Sequence, residues 1–166
     1  MKRLLPLTLS VLLASCNNGS GEIEGLKSFT HEGGDHQEGR VAYTQRPPAG
    51  GAHNPSWQNC GVYDQPIYDE YAVHSLEHGA VWITYQRNLP AEQIAALKQL
   101  VDGRASTLLS PHDSQGAPVV ITAWNKQLEV QEAADTRLKQ FLQKYEQGVE
   151  APERGASCSG AYNGTA

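Results

Sequence analysis

The sequence predicts an α+β fold in which a small mixed or antiparallel sheet packs with two longer helices, behind a loop-rich N-terminal third. Short apolar runs of strand length alternate with two segments in which apolar residues recur at the helical period. Gly and Pro residues are concentrated before residue 66, which disfavours regular elements there. The composition, 39% hydrophobic and 19% charged, is that of an ordinary folded domain.

Four segments are predicted strands, because they are short, apolar and bounded by turn residues. They are residues 40–44, 80–85, 118–124 and 127–130. Asn125 and Lys126 separate the last two, which predicts a hairpin. The order of the strands in the sheet does not follow from the sequence.

Three helices are predicted between and after these strands. The first is short, from Tyr71 to His78, and Gly79 ends it. Pro90 begins the second, with Ile94, Leu97 and Val101 as its inner stripe and Gly103 as its end. The third runs from about residue 133 to residue 147, where Gly148 follows. The second and third are the longer helices expected to pack on one face of the sheet.

The first residues predict export and lipid anchoring. Residues 1–15 form a lipoprotein signal peptide, with Lys2 and Arg3 before an apolar stretch too short to span a bilayer. Cys16 follows Leu-Ala-Ser, as in a bacterial lipobox, so it is the predicted lipidation site, which would carry palmitate or a similar acyl chain. The alternative is an ordinary secreted protein. Residues 16–25 are a predicted flexible tether, and residues 26–166 a single extracytoplasmic globular domain.

Charge limits the partners of this domain. The net charge of the whole chain is −5, and removal of the leader would take away only the basic residues Lys2 and Arg3. Nucleic acid and anionic lipid select clustered Lys and Arg, so neither is an expected partner. The expected partners are the membrane, through the lipid anchor, and a protein of the cell envelope.

Two cysteines remain once Cys16 is acylated. Cys60 and Cys158 are an even pair, and in an oxidising compartment we expect them to form a disulfide. The competing interpretation makes Cys60 a thiolate metal ligand, because it lies between His53 and His74 in the sequence.

The most informative stretch is His74-Ser-Leu-Glu-His78. Two imidazoles four residues apart share one face of a helical turn, where both can reach one metal ion. His53 and His36, from the loops, are the candidate closing ligands, and Glu77 is expected to orient an imidazole by accepting its second N–H. Imidazoles suit copper or zinc. Met1 is the only methionine, which argues against a thioether copper(I) carrier.

The same five residues fit H-x-x-E-H, the inverted zinc-peptidase signature. That site needs a long helix and a distant acidic ligand, whereas Gly79 and a strand-like run follow directly here. A zinc hydrolase is therefore the weaker interpretation, and a non-enzymatic role is favoured over an enzymatic one. A third interpretation is a metal-free interaction module, in which the same histidines and Glu77 form a structural hydrogen-bond network.

Several motifs together resemble the bacterial family called domain of unknown function 3105. In chain order they are Gly39-Arg-Val-Ala-Tyr43, Pro47-Pro-Ala-Gly-Gly-Ala-His53, Cys60-Gly-Val-Tyr63, Val73-His-Ser-Leu-Glu-His-Gly-Ala-Val81 and Pro118-Val-Val-Ile-Thr-Ala-Trp124. The resemblance implies an extracytoplasmic domain and assigns no activity.

Family resemblance also bears on the site. It implies that the motif positions include His36, His53, His74 and His78, together with Glu77 and Cys60. These are the residue types that metal chemistry selects, so it favours a transition-metal site, copper ahead of zinc, for sequestration or delivery. Copper leads partly because handling it is a common task outside the cytoplasmic membrane. Asn125 stands where many members have glycine, which is expected to affect a turn and not the site.

Overall fold

A computed structural model describes residues 21–166. The predicted signal peptide and the predicted lipidation site, Cys16, lie outside this range. The elements are β1 (Lys27–Ser28), β2 (Gly61–Val62), α1 (Asp69–Glu77), β3 (Val81–Tyr85), α2 (Ala91–Val101), β4 (Thr107–Pro111), β5 (Val119–Ala123), β6 (Lys126–Val130) and α3 (Thr136–Tyr145).

The strands form one mixed sheet in the order β1-β6-β5-β3-β4-β2. Strand β3 lies at its centre, parallel to β4 and antiparallel to β5. Strands β5 and β6 form an antiparallel hairpin, and the two-residue strands β1 and β2 are the edges. Very short edge strands leave few free backbone groups for unwanted pairing.

Both faces of the sheet are buried, because side chains of each strand alternate between two cores. Val81, Ile83 and Tyr85 face the larger core, which the apolar stripes of α2 and α3 complete. Trp82 faces the smaller core, formed with α1. The α+β prediction with two longer helices on one face of a mixed sheet is confirmed.

One predicted strand is absent from the structure, and strands β1, β2 and β4 are present without having been predicted. Residues 40–44 are not a strand; the Tyr43 hydroxyl instead donates to the Ala52 carbonyl oxygen at 2.6 Å, so this segment folds onto its neighbouring loop. Strand β4 was not predicted, because its apolar content is only Leu108 and Leu109 before Pro111. Pro111 lies beyond the two-residue partner β2, where no strand requires its missing N–H.

The β5–β6 hairpin is confirmed, with Trp124 and Asn125 between its strands. Asn125 has φ 61°, a left-handed conformation that asparagine tolerates better than most residues. Its side-chain oxygen accepts from the His31 backbone N–H, and its amide nitrogen donates to the His31 carbonyl oxygen. The asparagine therefore serves the turn and also fixes the loop that leads to His36.

The C-terminal segment returns to the end of α1. Cys60 and Cys158 form the expected disulfide, with their Cα atoms 5.3 Å apart. The Glu153 backbone N–H donates to the Glu77 carbonyl oxygen at 3.0 Å. A disulfide belongs to an oxidising, extracytoplasmic compartment. Among residues 21–166, no helix has both the length and the apolar character needed to cross a membrane.

Candidate metal centre

Three histidines and one glutamate converge beside α1. Ligand atoms of His36, His53, His74 and Glu77 all lie within 4.8 Å of one another, a group that could hold a metal ion. The ring centroids of the three histidines are 4.8 to 4.9 Å apart. His53 and Glu77 are fully buried and His74 nearly so, whereas the His36 side chain is 39% exposed. The group is therefore a buried cluster with one solvent-facing member.

Backbone pairing brings the two loop histidines together. His36 and His53 form an isolated parallel bridge, in which Gln37 N–H donates to the His53 carbonyl oxygen at 2.7 Å. The His53 backbone N–H donates in turn to the Asp35 backbone carbonyl oxygen at 2.9 Å. His74 and Glu77 are three residues apart on α1, so they share one helix face. The cluster thus rests on a helix and on a paired loop.

Backbone carbonyl groups fix the orientation of the two buried rings. Nδ1 of His53 lies 2.8 Å from the Gly51 carbonyl oxygen, and Nδ1 of His74 lies 2.7 Å from that of Asn54. A carbonyl oxygen only accepts, so each Nδ1 carries the proton. In the neutral ring the lone pair is then on Nε2. Second-nitrogen bonds of this kind orient histidine ligands in metal sites.

Glu77 contributes one satisfied and one unsatisfied oxygen. Its Oε1 accepts the Gly34 backbone N–H at 2.6 Å. Its Oε2 lies 2.9 Å from His53 Nε2 and 3.6 Å from His36 Nε2. Although the 2.9 Å separation is short enough for a hydrogen bond, Oε2 and His53 Nε2 are both buried without a hydrogen-bond partner, so the N–H direction does not suit one.

Those separations are the ones expected between two ligands of one ion. Bonds of about 2.0–2.1 Å to a tetrahedral ion place neighbouring ligand atoms about 3.3 Å apart. The distances from Glu77 Oε2 to the two Nε2 atoms, 2.9 and 3.6 Å, lie on either side of this value. A buried carboxylate oxygen next to an imidazole nitrogen, with no hydrogen bond between them, is unfavourable unless a cation binds to both.

Burial and the neighbouring histidines favour the neutral form of His74. Burial lowers the pKa of His74, and the neighbouring histidines His78, His53 and His36 lower it further, against the opposing effect of its bond to Asn54. A neutral ring is the form that binds metal, because its Nε2 lone pair is free.

His78 belongs to a different group. Its Nδ1 lies 2.6 Å from the Ser157 carbonyl oxygen, and its Nε2 lies 3.4 Å from Glu153 Oε2. Ligand atoms of His74, His78 and Glu153 form a second set within 4.8 Å of one another. His74 is therefore common to both groups, while His78 and Glu77 are in different ones.

The family model described as "Protein of unknown function (DUF3105)" matches residues 36–160, more than half of the chain. The chain belongs to the DUF3105 family. No curated protein and no solved structure matches it. The matched range begins at His36 and includes every member of both groups as well as Cys158.

Within this DUF3105 domain, the structure brings together three of the four predicted histidine ligands and separates the fourth. Glu77, predicted to orient an imidazole, lies among the candidate ligands themselves. Cys60 is in the disulfide and so is not a thiolate ligand. Glu153 was missed, and no local pattern marks it, because its position depends on the return of the C-terminal segment.

This geometry also weighs against the zinc-peptidase interpretation. In that mechanism both histidines of H-x-x-E-H hold one ion and the glutamate is the general base. Here α1 is nine residues long, and Glu77 groups with His74 while His78 faces Ser157 and Glu153. In the DUF3105 site, Glu77 is a candidate ligand beside His74, and His78 belongs to a second group.

Proposed function

We propose that this DUF3105 domain binds a divalent transition-metal ion outside the cytoplasm and holds it for sequestration or delivery. One observation carries the proposal: His53 Nε2 and Glu77 Oε2 are buried 2.9 Å apart with no hydrogen-bond partner. Polar atoms left in that state are costly to fold around, unless a cation binds between them. His36 and His74 supply the remaining two ligands.

Copper(II) is the preferred ion, with zinc second. Three imidazole nitrogens and one carboxylate oxygen suit both ions, and for a given site of nitrogen and oxygen ligands affinity is higher for copper(II) than for zinc. A carboxylate is a poor ligand for copper(I), which prefers sulfur, and the only methionine is Met1.

The number of ligands favours holding over turnover. Catalytic zinc sites use three protein ligands and leave a fourth position for water or substrate. Together, His36, His53, His74 and Glu77 would supply four ligands and leave no open position on a four-coordinate ion. His36, the most exposed of them, would be the ligand that solvent and partners reach first.

Location is part of the proposal. Cys16 would be acylated and would anchor the domain to a bacterial membrane, with the tether of residues 16–25 between them. The domain would then take up or deliver its ion at the extracytoplasmic surface, with a protein of the cell envelope as the partner in exchange.

The test is elemental analysis combined with copper(II) electron paramagnetic resonance. The protein is exported to an oxidising compartment, purified without a histidine tag and offered copper and zinc. We expect one ion per chain and nitrogen coupling from three imidazoles. His74→Ala should lower both the occupancy and the number of coupled nitrogens. His31→Ala is the matched control, since His31 is in neither group.

The metal-free interaction module gives the opposite result. In that case the bonds of His53 and His74 to backbone carbonyls would be purely structural, and a well-folded protein would take up neither metal. His74→Ala would then lower thermal stability and change no metal content. That outcome would refute metal binding and redirect the search to a protein partner.

A further inference from the structure

The second group is formed by His74, His78 and Glu153, and the last two are not needed to hold an ion in the first group. Its three ligand atoms all lie within 4.8 Å of one another, the same limit that the first group meets. His78 Nε2 and Glu153 Oε2 are 3.4 Å apart, a separation close to the about 3.3 Å expected for two ligands of a tetrahedral ion. The Ser157 carbonyl oxygen, bonded to Nδ1 of His78, leaves its Nε2 lone pair free.

The two groups compete for one atom of His74. Because Nδ1 of His74 donates to Asn54, this ring has a single lone pair, on Nε2. It can therefore bind an ion in the first group or in the second, one at a time. The rings of His74 and His78 are 4.6 Å apart, and those of His74 and His36 are 4.9 Å apart, so His74 contacts both neighbours.

The groups differ in how open they are. The carboxylate of the first group, Glu77, is fully buried, whereas the Glu153 side chain is 46% exposed. The second group also has three ligands instead of four, which leaves one position for water or for a ligand from another molecule. These properties make it the weaker and more accessible of the two.

We propose that His78, Glu153 and the shared His74 form an outer site for the same divalent ion, through which the ion enters and leaves the inner group. This rests on the proposed function. In the exchange, His74 stays bound while His78 and Glu153 replace His36, His53 and Glu77. One carboxylate replaces another and the ion keeps its oxidation state, so no electron moves and the charge of the complex does not change.

The C-terminal segment holds the outer site against α1. Ser157, which orients His78, precedes the disulfide-bonded Cys158, and Glu153 is tied to Glu77 by its backbone N–H. Trp57 packs on the outer site, with its ring centroid 5.0 Å from that of His78. The outer ligands are thus positioned by contacts that do not involve His36 or His53.

The test is the rate of metal exchange. Zinc-loaded protein is mixed with an excess of a chromogenic chelator, and release is followed by stopped flow; loading is measured in the reverse direction. We expect Glu153→Gln to slow both rates by about tenfold, the lower end of what loss of a residue supporting a metal site causes. His78→Gln should act in the same way. Stoichiometry should stay at one, because removal of an intermediate slows loading and release alike.

Glu92→Gln is the control, since it removes the same charge from an exposed position on α2, which packs on the opposite face of the sheet. Rates in Glu153→Gln that stay within about twofold of this control would overturn the outer site. Loss of stoichiometry in Glu153→Gln would also overturn it, because Glu153 would then be a ligand of the holding site. Wild-type protein that binds no zinc would instead refute the proposed function itself.

Discussion

Replacing Glu77 with glutamine separates a metal site from a structural network by the sign of one stability change. In the metal-free protein, Glu77 is a fully buried carboxylate whose Oε2 faces His53 Nε2 at 2.9 Å without a hydrogen bond. Glutamine has the same shape. Its oxygen can keep the bond from the Gly34 N–H, and its neutral amide removes the buried charge that has no hydrogen-bond partner.

The expected magnitude follows from those contacts. Glu77→Gln removes the charge from a buried group that has an unsatisfied oxygen, so the metal-free variant should gain about 1–3 kcal/mol in unfolding free energy. If His53 were instead protonated and paired with Glu77, breaking the buried pair would cost about 3–5 kcal/mol. For a chain of this size each kcal/mol moves the melting temperature by about 2–4 °C.

The assay is thermal unfolding with and without metal. Wild type and Glu77→Gln are melted with a chelator and then with excess copper or zinc, with Glu92→Gln as the control. Loss of an anionic ligand should weaken binding by more than about a hundredfold, or about 2.7 kcal/mol. The metal-induced rise in melting temperature should shrink accordingly. A metal-free variant that melts well below wild type would refute the argument made from the unpaired oxygen.

Three further predictions concern the frame around the site. Breaking the Cys60–Cys158 link with serine at both positions should lower stability by about 4–5 kcal/mol by the chain-entropy model for a separation of 98 residues, measured by urea unfolding. Gly79→Ala should cost more than about 1 kcal/mol in thermal unfolding, because Gly79 has φ +93°. Asp135 caps α3, and its hydrogen bond from the Arg137 side chain lowers the pKa of the Asp135 carboxyl. Its contribution to folding stability is therefore fully present above the unfolded pKa of about 3.9. That contribution is lost as the pH falls through the lower pKa of the folded state. Asp135→Ala should cost about 1 kcal/mol at pH 7, a difference that narrows below about pH 4 in denaturant titrations.

Much of the fold could be predicted because most helices and strands show a pattern of apolar residues within their own sequence. The longer helices follow the apolar period, and the β5–β6 hairpin is marked by two apolar runs around Asn125. Strand β4 could not be predicted, since Leu108 and Leu109 are too few to show a period and a parallel strand is defined by its neighbours. The segment around Tyr43 shows the reverse error, because a β-rich composition does not create a pairing partner.

Most residues of the candidate site could be predicted from the sequence. Their division into two groups could not, because it depends on contacts with backbone that is distant in the sequence. The spacing of His74, Glu77 and His78 places all three near one helix face, and it does not say which two share an ion. That choice depends on where the second nitrogen of each ring is bonded. For His78 the partner is Ser157, 79 residues away. No local pattern contains such a contact, nor the arrival of Glu153 beside it.

The way the cluster is built argues for a ligand more strongly than its composition does. A histidine that only stabilises a fold gains most when both ring nitrogens are bonded. His53 and His74 each use Nδ1 on a backbone carbonyl, and for His53 the Nε2 is left unpaired in a buried position opposite Glu77. Four structural features hold the candidate ligands in place. They are the bridge of His36 with His53, helix α1, the hydrogen bond from the Gly34 N–H to Glu77 and the C-terminal segment that returns to the end of α1. Ligand side chains that are held rigidly around polar atoms without a partner are what a bound cation requires. The ion then supplies the missing interaction to several ligands at once.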